Sequence, residues 1–169
     1  TITMQVIRLS RQGQSRTFLE KFIELIYATR LEFTVPKEKI LSYYASNAPF
    51  GGNVVGLDAA SWRYYGRNAD KLSWAESATL AVLPNAPSLI FPGKNHDKLL
   101  AKRNRLLDKL EQKGIIDKIT CAISKDEPLP QKPLRLPNIA PHLHNKIIRT
   151  NKGERVKTTI DSYLQEKTN

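Results

Sequence analysis

The chain has 169 residues, with 27 Lys and Arg against 16 Asp and Glu, a net charge of +11. That length suits a single domain burying about 70% of its unfolded surface, and the surplus of cations points to a polyanion as partner: nucleic acid, anionic lipid headgroups or a phosphate-bearing substrate. No apolar run is long enough to cross a membrane, and the single Cys121 excludes an internal disulfide and any cysteine-based zinc site.

In chain order the pattern is mostly α-helical. Residues 1 to about 10 read as a helix, broken by the polar loop Arg11 to Ser15. A long amphipathic helix is expected over 16–33. At about 100° per residue, Arg16, Glu20, Glu24 and Tyr27 share one flank. Phe18, Phe22, Leu25, Ile26, Thr29 and Phe33 gather on the other, apolar flank. Lys21 lies three residues before Glu24, within reach of it, while Glu20 and Glu24 repel at i, i+4. Pro36 suits the first turn of a helix over 36–46, and Asn47 to Asn53 is a turn-rich loop. Asp58 to Tyr65 reads as a short helix that Gly66 can close in a left-handed conformation. Ser73 to Glu76 is a capping box opening a helix that stops at Pro84. His96 to Lys113 and Asp117 to Lys125 are the next helices.

Composition then shifts. Pro128, Pro130, Pro133, Pro137 and Pro141 require an extended segment. A short apolar stretch, Leu143 to Ile148, leads to a turn at Asn151-Lys152-Gly153. Val156 to Ile160 alternates like a short strand, and Asp161 can cap a final helix. The expected domains are 1–127, a Pro-rich linker over 128–155, and a connecting segment over 156–169. No signal-peptide pattern is present and the only Met is Met4, so a natural N-terminus upstream of Thr1 is expected.

Three groups of residues could carry chemistry. Arg8, Arg11, Arg16 and Lys21 cluster around the head of the long helix beside glutamates, a setting suited to a pyrophosphate group. Tyr43, Tyr44, Phe50, Trp62, Tyr64 and Tyr65, with Arg63 and Arg67, could stack on sugars or bases, though helical spacing favours core packing for most of them. Lys102-Arg103-Asn104-Arg105 opens a basic face, read as solvated, opposite Leu99, Leu100, Leu106, Leu107 and Leu110. There is no Gly-rich phosphate loop, no nucleophile elbow and no metal spacing among His96, His142 and His144, so no protein metal site is assigned.

Together these segments resemble the peptidoglycan glycosyltransferase domain of class A penicillin-binding proteins, glycosyltransferase family 51. Thr1-Ile2-Thr3-Met4-Gln5 looks like the end of the family's Gly-x-Ser-Thr-Ile-Thr-Gln-Gln segment, with Met4 for the first Gln. Glu20-Lys21-Phe22-Ile23-Glu24 looks like Arg-Lys-x-x-Glu, with Glu20 in place of the Arg. Lys39-Ile40-Leu41, Tyr44 and Phe50-Gly51 look like Ile-Leu-x-x-Tyr-Leu-Asn-x-x-x-Phe-Gly, with Ala45 and Ser46 departing. Lys102 to Leu107 looks like Arg-Arg-Asn-x-Val-Leu. Asn47 to Ala60 and Leu80 to Ser88 are most similar to the penicillin-binding protein 1C branch. The family's Glu-Asp-x-x-Phe-x-x-His segment, which carries its general base, is absent from this sequence.

The resemblance implies a mostly α, lysozyme-like domain that joins a lipid-pyrophosphate-linked glycan to lipid II with inversion. It implies Glu24 as the second essential carboxylate, orienting donor groups or a divalent cation (Mg²⁺ or Mn²⁺), with no organic cofactor. Thr3 and Gln5 would line the donor site, and Arg8, Arg16 and Lys21 would neutralise the departing pyrophosphate. The expected setting is the outer, periplasmic face of the bacterial cytoplasmic membrane, with an attached transpeptidase domain and no nucleic acid. The 169-residue chain is expected to be inactive by itself for want of the base, with apolar side chains of the 16–33 helix partly uncovered and prone to self-association. A lysozyme-like lytic enzyme and a basic nucleic-acid-binding module are the rival readings.

Overall fold

The computed structural model describes residues 1–11, 17–135, 139–151, 154 and 156–168. Among them the chain is helical: α1 (Ile2–Ser10), α2 (Phe18–Thr34), α3 (Lys37–Asn47), α4 (Leu57–Tyr65), α5 (Trp74–Val82), α6 (His96–Gln112), α7 (Lys118–Asp126), α8 (Pro141–Thr150) and α9 (Ser162–Thr168). The β pairing among the described residues is limited to the isolated bridges Pro49–Val55 and Phe91–Lys94. No helix among them is long and apolar enough to cross a membrane. The chain divides into two units, Thr1–Leu134 and Arg135–Asn169.

Local chemistry sets several helix ends. Ser73 and Glu76 form the expected capping box on α5: the Ser73 hydroxyl accepts from the Glu76 amide at 3.1 Å, and the Glu76 carboxylate accepts from the Ser73 amide at 2.9 Å. The same hydroxyl donates to the Glu127 carboxylate at 2.9 Å, so the cap also holds the residue just past α7. Asp117 caps α7 by accepting from the Thr120 amide at 2.6 Å, and that bond holds its carboxyl below the ordinary value. Gly66 closes α4 at φ 67° and ψ 21°, the left-handed cap its position required. α2 starts later than its periodicity suggested because Thr17 caps it, accepting from the Glu20 amide at 3.1 Å.

In the first unit, α5 packs on α4, α6 and α7, and α6 packs on α7. Two apolar clusters result. One gathers Phe50, Tyr64, Leu80, Leu83, Ile90 and Leu99, and the other Ala78, Leu107, Ile116 and Cys121. α6 serves both, through Leu99 and Leu107. Of the aromatic group, Phe50 and Tyr64 are buried, Tyr44 and Tyr65 pack against the first cluster, and Tyr43 is exposed. The Tyr64 hydroxyl donates to the Gly51 carbonyl at 3.0 Å, with the Phe50 carbonyl at 3.1 Å. Gly51 adopts φ +86°, and a Cβ there would lie 2.6 Å from the Phe91 Cβ, so only glycine fits. Burial pushes the Tyr65 hydroxyl up to about 12. α1 packs on α2 and α3, and α3 on α4, which ties the N-terminal helices to this scaffold.

Past α7 no helix forms over 127–135; Pro137 lies outside the described residues, and Pro141, expected in the extended segment, sits in α8 instead. Leu134 and Arg63 bond reciprocally: the Leu134 amide donates to the Arg63 carbonyl at 2.6 Å, and the Arg63 guanidinium donates to the Leu134 carbonyl. In the second unit, α8 forms where only a short apolar stretch was read. Pro141 occupies its first turn, where a missing N–H costs nothing. The strand expected at Val156 to Ile160 does not form. Its alternating residues lie next to no partner strand among the described residues, and without a ladder the pattern alone cannot hold a strand. Asp161 does cap α9, its carboxylate accepting from the Tyr163 amide at 2.9 Å. The expected turn residues Lys152 and Gly153 lie outside the described residues.

Candidate active site

The site is assembled where α1 lies against α2. Thr1 caps α1, accepting from the Met4 amide at 3.2 Å. Thr3 is the buried residue of this helix, and its hydroxyl donates to the Glu32 carboxylate at 2.6 Å, far along α2. Gln5 and Arg8 are one turn apart, both exposed, and therefore share a face of α1. At the other end Arg11 ends the helix, its amide donating to the Ile7 and Arg8 carbonyls.

The face that α2 turns inward is not the apolar one. Glu20, Ile23, Glu24, Ala28 and Leu31 are its covered or half-covered positions, a helical ridge at i, i+3, i+4 spacing that holds both carboxylates. The apolar flank is uncovered, as expected of it: Phe18 is 95% exposed and Phe33 87%, and Phe22, Leu25 and Ile26 are exposed as well. Small Ala28, 3% exposed, lets this ridge approach its neighbours closely, which a row of Phe would not allow. Periodicity located the two flanks, but not the neighbour that covers the charged one.

Charge on the ridge is balanced from α1. The Arg11 guanidinium donates from Nε to Glu20 Oε1 at 2.5 Å and from Nη2 to Glu20 Oε2 at 3.1 Å. Its Cζ lies 5.5 Å from the centre of the Tyr27 ring. Hydrogen bonding to Arg11 holds the Glu20 carboxyl below its ordinary range, and the same bond raises Arg11, with smaller electrostatic contributions from Tyr27 and Glu24. The repulsion expected between Glu20 and Glu24 is thus relieved by a third residue. Lys21 is exposed, and the ion pair its spacing allowed with Glu24 does not form; the ion pairs among the described residues include Arg11–Glu20, Arg67–Glu76 and Lys125–Asp108. Arg16 lies outside the described residues.

Of the two carboxylates on the ridge, Glu20 engages Arg11, and a divalent cation there would rest on Glu24 and on oxygens of a bound substrate. Among the described residues the group of three metal-capable side chains is elsewhere, at Asp108, Glu111 and Cys121. There the Lys125 ammonium already bonds Asp108, and burial pushes the Cys121 thiol up, away from the thiolate a metal requires.

The basic segment on α6 corrects a second expectation. Lys102 is half-covered and Arg105 exposed, but Arg103 is fully buried at 0% exposure. Its Nη1 donates to the Glu127 carbonyl at 2.5 Å, its Nη2 to the Lys125 carbonyl at 2.7 Å, and its Nε to Asn104 at 3.1 Å. The guanidinium therefore satisfies carbonyls at the C-terminus of α7 that have no helical partner. Burial lowers Arg103 from its ordinary value, though neither Tyr65 nor Glu127 favours that direction. Two pairings escaped the sequence reading, Arg11 with Glu20 and Thr3 with Glu32. Charge complementarity was the available signal for the first; nothing local marked the second.

Comparison with known proteins bears on this arrangement. The transglycosylase family matches residues 1–111. Penicillin-binding protein 1C of Escherichia coli is 36% identical over 167 residues, covering 99% of this chain and 22% of that protein. Penicillin-binding protein 1A of Pseudomonas aeruginosa is 32% identical, over 98% of this chain and 22% of that protein. The chain thus spans less than a quarter of the length of these relatives. The crystal structure of penicillin-binding protein 1A from Haemophilus influenzae shares the fold, with a TM-score of 0.51 at 18% identity over 90% of this chain and 20% of that one. On the family match and the extent of the relatives' identity, the chain belongs to the transglycosylase family found in penicillin-binding proteins.

Proposed function

We propose that this domain polymerises lipid II into β-1,4 glycan strands as the glycosyltransferase part of a bifunctional cell-wall synthase. The observation that supports this best is the joining of two matched segments distant in sequence. Thr3–Glu32 at one end and Arg11–Glu20 at the other tie α1 to the α2 ridge that carries Glu24. With Arg11 held against this ridge, the joining supports a reading in which Glu24 works beside cations at a departing pyrophosphate.

In the proposed reaction the acceptor 4-hydroxyl attacks the donor anomeric carbon, the glycosyl–phosphate bond breaks, and the configuration inverts. Arg8, Arg16 and Lys21 neutralise charge growing on the leaving pyrophosphate, where positioned cations contribute most. Glu24 orients polar groups of the donor. Thr3, bonded to Glu32, and Gln5, exposed on the Arg8 face, line the donor site. The proton of the acceptor hydroxyl goes to the glutamate of the family's Glu-Asp-x-x-Phe-x-x-His segment, which these 169 residues do not contain. The positive net charge suits a lipid-headgroup surface on the periplasmic side of the membrane, where a lipid-linked donor resides, and a transpeptidase domain is the expected companion.

Incubating the full-length protein with labelled lipid II and resolving the glycans on a gel tests this reading. Polymer ladders are expected. Cleavage of purified cell-wall glycan without polymer formation would replace it with a hydrolytic function.

A further inference from the structure

We propose that Arg11 is an additional anion-binding residue of the donor site, and that Glu20 is the residue that positions it. The inference rests on the glycan-polymerising reading and adds a residue to the same site. It begins from an anomaly: Glu20 stands where the Arg-Lys-x-x-Glu segment that this stretch resembles has an arginine. A carboxylate there places two negative side chains one turn apart on the ridge, the wrong sign beside a departing pyrophosphate.

The structure resolves the anomaly by bringing a cation from the other helix. Arg11 meets Glu20 through two parallel hydrogen bonds at 2.5 and 3.1 Å, the forked geometry that fixes a guanidinium in plane and direction. The Tyr27 ring, 5.5 Å from Cζ, adds a further contact, and Tyr27 lies three residues beyond Glu24 on the same ridge. The Arg11 backbone is held as well, by its amide bonds to Ile7 and Arg8. The guanidinium is thereby anchored before any ligand arrives, which lowers the entropy lost on binding.

It also keeps capacity to bind. A guanidinium has five N–H donors, and Glu20 engages Nε and one Nη2 hydrogen, leaving the Nη1 pair and the second Nη2 hydrogen. Exposure divides the same way: the Glu20 side chain is 13% exposed and that of Arg11 30%. The carboxylate is covered while the guanidinium stays reachable. Arg8, exposed one turn earlier on α1, places a second cation on the same approach. A cation from the end of α1 thus takes the place of one carried on α2.

The test uses the full-length protein and two soluble probes: a lipid-linked disaccharide pyrophosphate analogue, and the same molecule without its phosphates. Arg11→Gln should weaken the first roughly tenfold and leave the second unchanged, the scale of one charge-assisted hydrogen bond. Glu20→Gln should cost less, about threefold. The double variant Arg11→Gln/Glu20→Arg should recover most of the loss, because it restores a cation on the ridge. Arg11→Lys, which keeps the charge but not the fork, should fall between wild type and Arg11→Gln and serves in its place should Arg11→Gln not fold.

Equal losses for both probes would make Arg11 structural and overturn the proposal, as would a double variant no better than Arg11→Gln. Arg8→Ala and Lys21→Ala separate the two levels of inference. If they lose phosphate-dependent affinity while the Arg11 variants bind like wild type, Arg11 is wrongly assigned and the donor site stands. If none of these variants loses affinity, the donor site itself is misplaced.

Discussion

The helices α4–α7 and the helices α1–α3 are built on opposite terms. In the former, Leu80, Leu83, Leu99 and Leu107 are at most 1% exposed, and buried polar groups such as Arg103, Glu76 and Tyr64 have partners. In the latter the buried residues are Thr3, Ala28 and Ile40, while Phe18, Phe22, Ile26 and Phe33 face outward. Stability is concentrated in one region and the candidate chemistry in the other. A site held by a few polar ties on a thin layer can keep its charged ridge accessible, provided a well-packed neighbour holds the layer in place.

The largest expected effect tests the stable half. Leu99→Ala should remove about 2–5 kcal/mol of unfolding free energy, because Leu99 is 0% exposed and its cluster cannot fully collapse into the space. Chemical denaturation measures it, and a loss below ~1 kcal/mol would mean that α4–α7 are less tightly packed than they look. The converse substitution is Glu24→Gln. It should lower lipid II polymerisation by the full-length protein at least a hundredfold, about 2.7 kcal/mol in the barrier, while unfolding changes by less than about 1 kcal/mol. Unaltered turnover by a folded Glu24→Gln protein would remove Glu24 from the site.

A third expectation sharpens the contrast at the open face. The 169-residue chain should self-associate and bind a hydrophobic dye through α2, and Phe22→Ser with Ile26→Ser should reduce both several-fold. Sedimentation and dye fluorescence report this, and an unchanged double variant would place the sticky surface elsewhere.

The smallest effect is a pH dependence. Glu20 is held below its ordinary value of 4.5 by Arg11. A depressed carboxyl contributes stability that is fully present above the unfolded value and lost as pH falls through the folded one. Acid titration should therefore loosen α1 from α2 only below the ordinary carboxylate range. Glu20→Gln should flatten that part of the profile, while the unfolding of α4–α7 keeps its own midpoint. The amide exchange of α1 followed against pH distinguishes the two.

What could be read from residues alone was what neighbours in sequence decide. Ser73 with Glu76, Gly66, and Asp117 mark helix ends because capping is a contact between residues three or four apart. The matched segments near Thr3, Glu24 and Arg103 were visible for a similar reason, as short runs of side chains. The inward face of α2 was not visible, since hydrophobic periodicity says which flank is apolar and not which flank a neighbour covers. Arg103 read as solvated because its carbonyl partners lie 22 and 24 residues away, beyond any local pattern. α8 was hidden by its own proline, which signals an extended segment when counted with the prolines before it and a helix start when counted with the residues after it.

The inward guanidinium of Arg103 has a consequence for genetics. It lies in one of the segments that mark the family, so its loss invites a substrate-binding explanation. Yet its hydrogen bonds run to α7 and to its own neighbour Asn104. A screen scored by cell-wall phenotype would pool Arg103 alleles with Glu24 alleles as equally null. Only abundance would divide them: the Glu24 proteins should accumulate to normal levels, and the Arg103 proteins should be degraded.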